Sequence, residues 1–69
     1  MKSASEWITE IDFEITRLKL NGRHTFYQFS VDMTKDIAGE IERYFKDKYD
    51  TEFRRCQQCV NKYDIIIQF

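Results

Sequence analysis

The chain has 69 residues, enough for one small domain, because a polypeptide of this size buries only about 60% of the surface that its unfolded form exposes. Hydrophobic residues at 42% and aromatics at 16%, against 33% charged, exclude a disordered chain. Eleven basic and twelve acidic side chains leave a net charge of -1, which excludes a global field drawing the protein to nucleic acid or anionic lipid. Any electrostatic function is local.

Residues 1–8 form an N-terminal segment. Met1-Lys2-Ser3-Ala4-Ser5-Glu6 lacks the apolar stretch of a signal peptide, and no apolar run approaches the roughly 18 residues that span a bilayer. The expectation is a cytoplasmic protein without membrane contact. Its two cysteines, Cys56 and Cys59, are too few for the disulfide framework of a small secreted protein and are expected as reduced thiols. With no proline and no low-complexity tract, residues 1–69 read as a single α+β domain.

Residues 9–31 read as a first hairpin. Asn21-Gly22 supplies the two positive-φ positions of a type I′ turn. Before it Ile11, Phe13 and Ile15 alternate with Glu10, Asp12, Glu14 and Thr16; after it Tyr27, Phe29 and Val31 alternate with Gln28, Ser30 and Asp32. A helix over 6–20 is the rival reading, since Trp7, Ile11, Ile15 and Leu18 fit a 3.6 period and Ser3 with Glu6 resembles a capping box. That helix leaves Phe13 and Leu20 on its polar side, which favours the strand. The strand in turn needs a bulge near Thr16-Arg17, where the apolar phase slips.

A helix follows within 33–49. Ile37, Ile41, Tyr44, Phe45 and Lys48 recur at helical spacing, Asp32 or Thr34 can cap it, and Glu42 with Lys46 forms an i, i+4 ion pair. Lys48 falls at the end of the apolar stripe as a snorkelling side chain. Gly39 falls on the outer face. Residues 51–69 read as a second hairpin, whose last strand, Tyr63 to Phe69, is apolar on both faces at Ile65-Ile66-Ile67 and therefore central.

A ββαββ order with a central last strand, and the first strand parallel beside it, implies a four-stranded mixed sheet with one helix on one face. This order resembles ubiquitin-like and immunoglobulin-binding β-grasp domains over residues from about 9 to 69, in architecture and without a family motif. No C-terminal Gly-Gly supports ubiquitin-type conjugation. The alternative, an αβαββ order with a three-stranded sheet, follows if residues 9–20 are helical.

No set of residues reads as a catalytic centre or a cofactor cradle. His24 follows the Asn-Gly turn without a nucleophile beside it, the hydroxyl residues sit in no nucleophile motif, and no glycine-rich phosphate loop is present. The expectation is a non-enzymatic protein. Cys56-Gln57-Gln58-Cys59 offers half of a tetrahedral zinc site, which a dimer could complete; a redox pair would want its first Cys at a helix N-terminus, whereas strand residues lie on both sides here, and ordinary core or turn thiols are the leading reading.

Two surfaces are candidates. On the four-stranded reading Glu10, Asp12 and Glu14 form an acidic row on the open sheet face, beside Phe26 and Ile66, suited to a basic and partly apolar protein surface. Arg54 and Arg55, with Phe53 and Tyr63, and with Lys62 and Arg23 nearby, suggest a small nucleic-acid site that would bind weakly and with strong salt dependence. Very short, acidic, single-domain proteins without catalytic residues are common among phage-encoded inhibitors of host enzymes and defence complexes, including anti-CRISPR proteins. The leading expectation is therefore a monomeric or homodimeric protein-binding module that occludes a surface of a larger partner. A nucleic-acid-binding regulator and a zinc-bridged dimer are the alternatives.

Overall fold

The computed structural model describes residues 2–55, 57–58 and 60–69. Its elements run α1 (Ala4–Leu20), β1 (Thr25–Asp32), α2 (Lys35–Lys46), β2 (Asp50–Arg55) and β3 (Lys62–Gln68). The order is αβαββ.

The segment expected to open a hairpin is a helix of 17 residues, and both of its ends show why. Ser3 Oγ accepts from the Glu6 N–H at 3.2 Å while Glu6 Oε1 accepts from the Ser3 N–H at 3.4 Å, a closed capping box. At the other end Asn21 has φ −93° and only Gly22 turns positive, at φ 75°. The Gly22 N–H donates to the Lys19 carbonyl at 3.1 Å and the Arg23 N–H to the Leu18 carbonyl at 2.9 Å. These are the two bonds of a Schellman motif, in which a left-handed glycine satisfies the last carbonyls of a helix. Asn21-Gly22 thus ends a helix instead of reversing a strand, and the first hairpin over 9–31 is replaced by α1 and β1.

The sheet among the described residues has three strands in the order β1-β3-β2, antiparallel throughout. The expected four-stranded mixed sheet, and the β-grasp likeness that depended on a parallel first strand, give way to the three-stranded alternative. The last strand is central, as its two apolar faces imply. Both helices cover one face. Ile11 and Ile15 of α1, Ala38, Ile41 and Phe45 of α2, and Tyr63, Ile65 and Ile67 of β3 close a core with Phe26, Val31 and Met33.

Strand β1 changes phase along its length. Phe29 and Ser30 lie opposite the single position Asp64, a bulge in which Ser30 adopts φ 58° and its N–H is taken by Asp64 Oδ1 at 3.0 Å. The extra residue lets Phe26 and Val31 both point into the core, whereas Tyr27 and Phe29 point out. Strict alternation inward through Tyr27, Phe29 and Val31, with Phe26 on the open face, is corrected accordingly.

Thr34 caps α2, its side chain accepting from the Ile37 N–H at 3.3 Å, and Lys46 meets Glu42 at 3.4 Å. A Cβ built at Gly39 would meet nothing within 4 Å. The two glycines should therefore respond oppositely to alanine. Gly39→Ala is expected to stabilise by about 1 kcal/mol through helix propensity. Gly22→Ala forces a side chain into a positive φ and is expected to destabilise by about 1 kcal/mol. Urea denaturation of the two variants against the parent checks both signs.

Candidate protein-binding surface

Helix geometry redistributes the acidic row. Residues four apart share a helix face, so Glu10 and Glu14 stand together, while Asp12, displaced by about 200°, turns to the other side. Glu10 and Glu14 line a groove of about 680 Å³ between α1 and β1, together with Trp7, Phe13, Phe26 and Tyr27. Of the five residues expected to form one partner-binding face, Glu10, Glu14 and Phe26 thus border one groove, with Phe26 buried against the core. Ile66 lies on the open face of the sheet, opposite Tyr27 on one side and Glu52 on the other.

Three aromatics depart from the usual burial of large apolar side chains: Phe13 is 68% exposed, Tyr27 57% and Phe29 60%. Phe13 is off the apolar stripe of α1, and the bulge directs Tyr27 and Phe29 outward. The rings of Tyr27 and Phe29 stack with centroids 6.0 Å apart and planes 19° apart. Tyr27 also borders the shallow surface over Ile66 on the open face, so apolar surface continues from the α1 groove around β1. None of these three was singled out in the sequence as an exposed anchor. The available signal was the misfit of Phe13 to a helical stripe.

The groove's carboxylates are held loosely. Glu10 pairs with Lys2 and Glu14 with Arg17 at 2.6 Å, both pairs well exposed, and exposed pairs contribute only about 0–1 kcal/mol. The Arg17 guanidinium is raised by its hydrogen bond to Glu14 and by that carboxylate's charge. Cations of a partner could replace either one.

Asp12 has a structural partner instead. Tyr44 Oη donates to Asp12 Oδ2 at 3.2 Å and accepts from Lys48 Nζ at 2.8 Å, a chain that ties α1 to α2. That hydrogen bond to Tyr44 raises the Lys48 ammonium above the ordinary lysine range. Lys48 lies past the end of α2 and is exposed, with its Nζ 4.4 Å over the Tyr44 ring.

The residues of the nucleic-acid alternative are divided between two faces. Arg54 lies on the open face, its guanidinium held by Glu52 at 2.6 Å. Arg55 lies on the helix side with Phe53 and Tyr63, where Phe53 packs on the core and Tyr63 is buried. Lys62 pairs with Asp32 at 2.9 Å, Arg23 closes the Schellman motif of α1, and the exposed His24 contributes its carbonyl to Phe69. Cys56 and Cys59 lie outside the described residues. Among the described residues no three His, Cys, Asp or Glu side chains gather to hold a metal ion, and no helix is long and apolar enough to cross a membrane.

Compared with protein-family models, curated proteins and solved structures, the chain matches none.

The Tyr44 chain makes a checkable link between the helices. Tyr44→Phe keeps the ring and removes both hydrogen bonds, and is expected to lower stability by about 1 kcal/mol in urea denaturation at neutral pH. Lys48 is raised on folding, so its contribution is fully present below the unfolded lysine pKa and is lost as pH rises through the higher folded value. Repeating the denaturation in the alkaline range should show the gap between parent and variant narrowing.

Proposed function

We propose that this protein is a non-enzymatic protein-binding module that occludes a basic, partly apolar surface on a larger partner. The observation that carries this reading is the exposure of Phe13 and Tyr27 at a groove rimmed by Glu10 and Glu14, with the exposed Phe29 stacked on Tyr27 on the adjoining open face. Exposed aromatics are costly in water and are enriched where protein interfaces bury them, and an acidic rim selects and orients a cationic partner. A small rigid scaffold presenting one such patch can block a larger protein by covering its site, as a phage-type inhibitor of a host enzyme or defence complex would. Nucleic-acid binding draws less support, because Arg54 and Arg55 point to opposite faces and Arg54 is already neutralised by Glu52.

Affinity capture from the source cell's lysate, read by mass spectrometry, tests the proposal when run beside two variants. The wild type is expected to retain a partner; Phe13→Ala/Tyr27→Ala and Glu10→Lys/Glu14→Lys are each expected to weaken retention by about tenfold or more, the scale of interface hot spots, with circular dichroism and melting temperature preserved. No specific protein on the wild type, or equal retention by both variants, would overturn it.

A further inference from the structure

The two edges of the sheet differ in kind. β2 carries Asp50, Glu52, Arg54 and Arg55 among its six residues, the charged dress that discourages another strand from pairing. β1 carries no charge from Thr25 through Ser30 and has three aromatic rings in that stretch. An uncharged edge of this kind invites strand addition.

Backbone phase shows which groups it offers. The Phe69 N–H donates to the His24 carbonyl at 2.8 Å, and the register continues through Thr25↔Gln68 and Phe26↔Ile67. Antiparallel strands alternate residues that exchange main-chain bonds with residues that do not. Phe26 and Gln28 therefore bond to β3, and the N–H and C=O of Thr25 and Tyr27 face outward. The bulge at Phe29 and Ser30 ends the regular edge, because Asp64 takes the Ser30 N–H. What is left open is residues 25–29, about 17 Å of strand.

We propose that this edge is completed by an extended segment of the partner bearing alternating basic and apolar residues, which adds a fourth strand beside β1. The inference rests on the reading of the chain as a protein-binding module and specifies how it binds. An added strand alternates its side chains between the two sides of the sheet. On the helix side they meet Glu10 and Glu14 across the Phe13 ring, a place for a Lys or Arg whose stem lies on the ring and whose cation reaches the carboxylates. On the open side they meet the stacked Tyr27 and Phe29 rings, a place for apolar side chains. A second copy of this chain fits less well. Pairing β1 with itself would bring two α1 helices together along the side that carries Glu10 and Glu14, and like charges facing across a seam oppose association.

The probe is an acetylated, amidated peptide of alternating Arg and Val, nine residues long, added to the full chain. Amide hydrogen exchange followed by NMR is expected to slow by about tenfold or more at Thr25 and Tyr27 in saturating peptide, with Phe26 and Gln28, already bonded to β3, changing far less. Thr25→Pro removes an outward N–H at the first residue of an edge strand, where proline is tolerated, and is expected to weaken the peptide severalfold at unchanged melting temperature. Glu10→Lys/Glu14→Lys is expected to abolish binding. Absence of peptide binding, or binding without protection of Thr25 and Tyr27, overturns strand addition. Protection of both amides in the free chain, with a dimeric mass in solution, also overturns it by assigning the edge to a second copy. Each of these results leaves the protein-binding reading standing if the wild type still retains a partner from lysate; loss of that retention strikes the reading itself.

Discussion

The commitment of residues 4–20 to a helix governs the rest of the molecule. That commitment is made at the ends, by the Ser3 and Glu6 capping box and by the Schellman closure at Asn21-Gly22, and in the middle by Ile11 and Ile15, both fully buried. Orphaned N–H and C=O groups are the standing cost of a helix terminus, and here the side chains and backbone next to each end absorb them. Burying an Ile side chain contributes roughly 1.5–3 kcal/mol, so the two isoleucines outweigh the exposure of Phe13 and Leu20. Once this segment is helical, the sheet has only three strands to draw on. β1 then pairs directly with β3, in the place the first strand would have taken, and its other side is an edge.

A second constraint acts on that edge. Val31 and Met33 must reach the core at one end of β1 and Phe26 at the other, and an unbroken alternation cannot deliver all three. The bulge resolves the conflict by placing Ser30 in a positive φ, which a serine adopts reluctantly, and by giving its N–H to Asp64. The consequence reaches the surface as well as the core. The same phase reset that seats Phe26 in the core sends Tyr27 and Phe29 into solvent on the open face, stacked on one another.

These two devices also explain what could be read from the chain beforehand. α2 was legible because its apolar stripe, cap and i, i+4 pair all point to one structure, and β3 because a strand apolar on both faces belongs in the middle of a sheet. The segment 9–20 was not, because its residues satisfy a period of two nearly as well as one of 3.6, and because Asn-Gly serves both a type I′ turn and a helix C-terminus. Deciding between those uses depends on whether one or two residues take positive φ, which is a property of the folded backbone. The bulge was hidden for a different reason: Ser30 depends on a carboxylate 34 residues away. For the candidate surface, Glu10, Glu14 and Phe26 do meet at one groove, but Asp12 was assigned to their face only by counting in twos. Phe13 is the most informative residue, because its misfit to the apolar stripe is a feature of the helix surface and not evidence for a strand.

The exposed aromatics and the bare edge raise a question of solubility that the acidic groups of α1 help to answer. An uncharged edge strand flanked by exposed rings would ordinarily pair with its own copies, since the backbone of one edge is as good a partner as any other. Glu10 and Glu14 stand beside β1 in every copy, so self-pairing sets carboxylate against carboxylate. Their present partners, Lys2 and Arg17, are solvent-exposed and weakly held, and they soften that repulsion without removing the carboxylates from the seam. A cationic segment meets the opposite situation, because each charge it brings can take over an exposed ion pair at little cost. On the proposed strand addition, two residues thereby oppose the homotypic contact and favour the heterotypic one, and specificity at such an edge resides in the difference between those two energies.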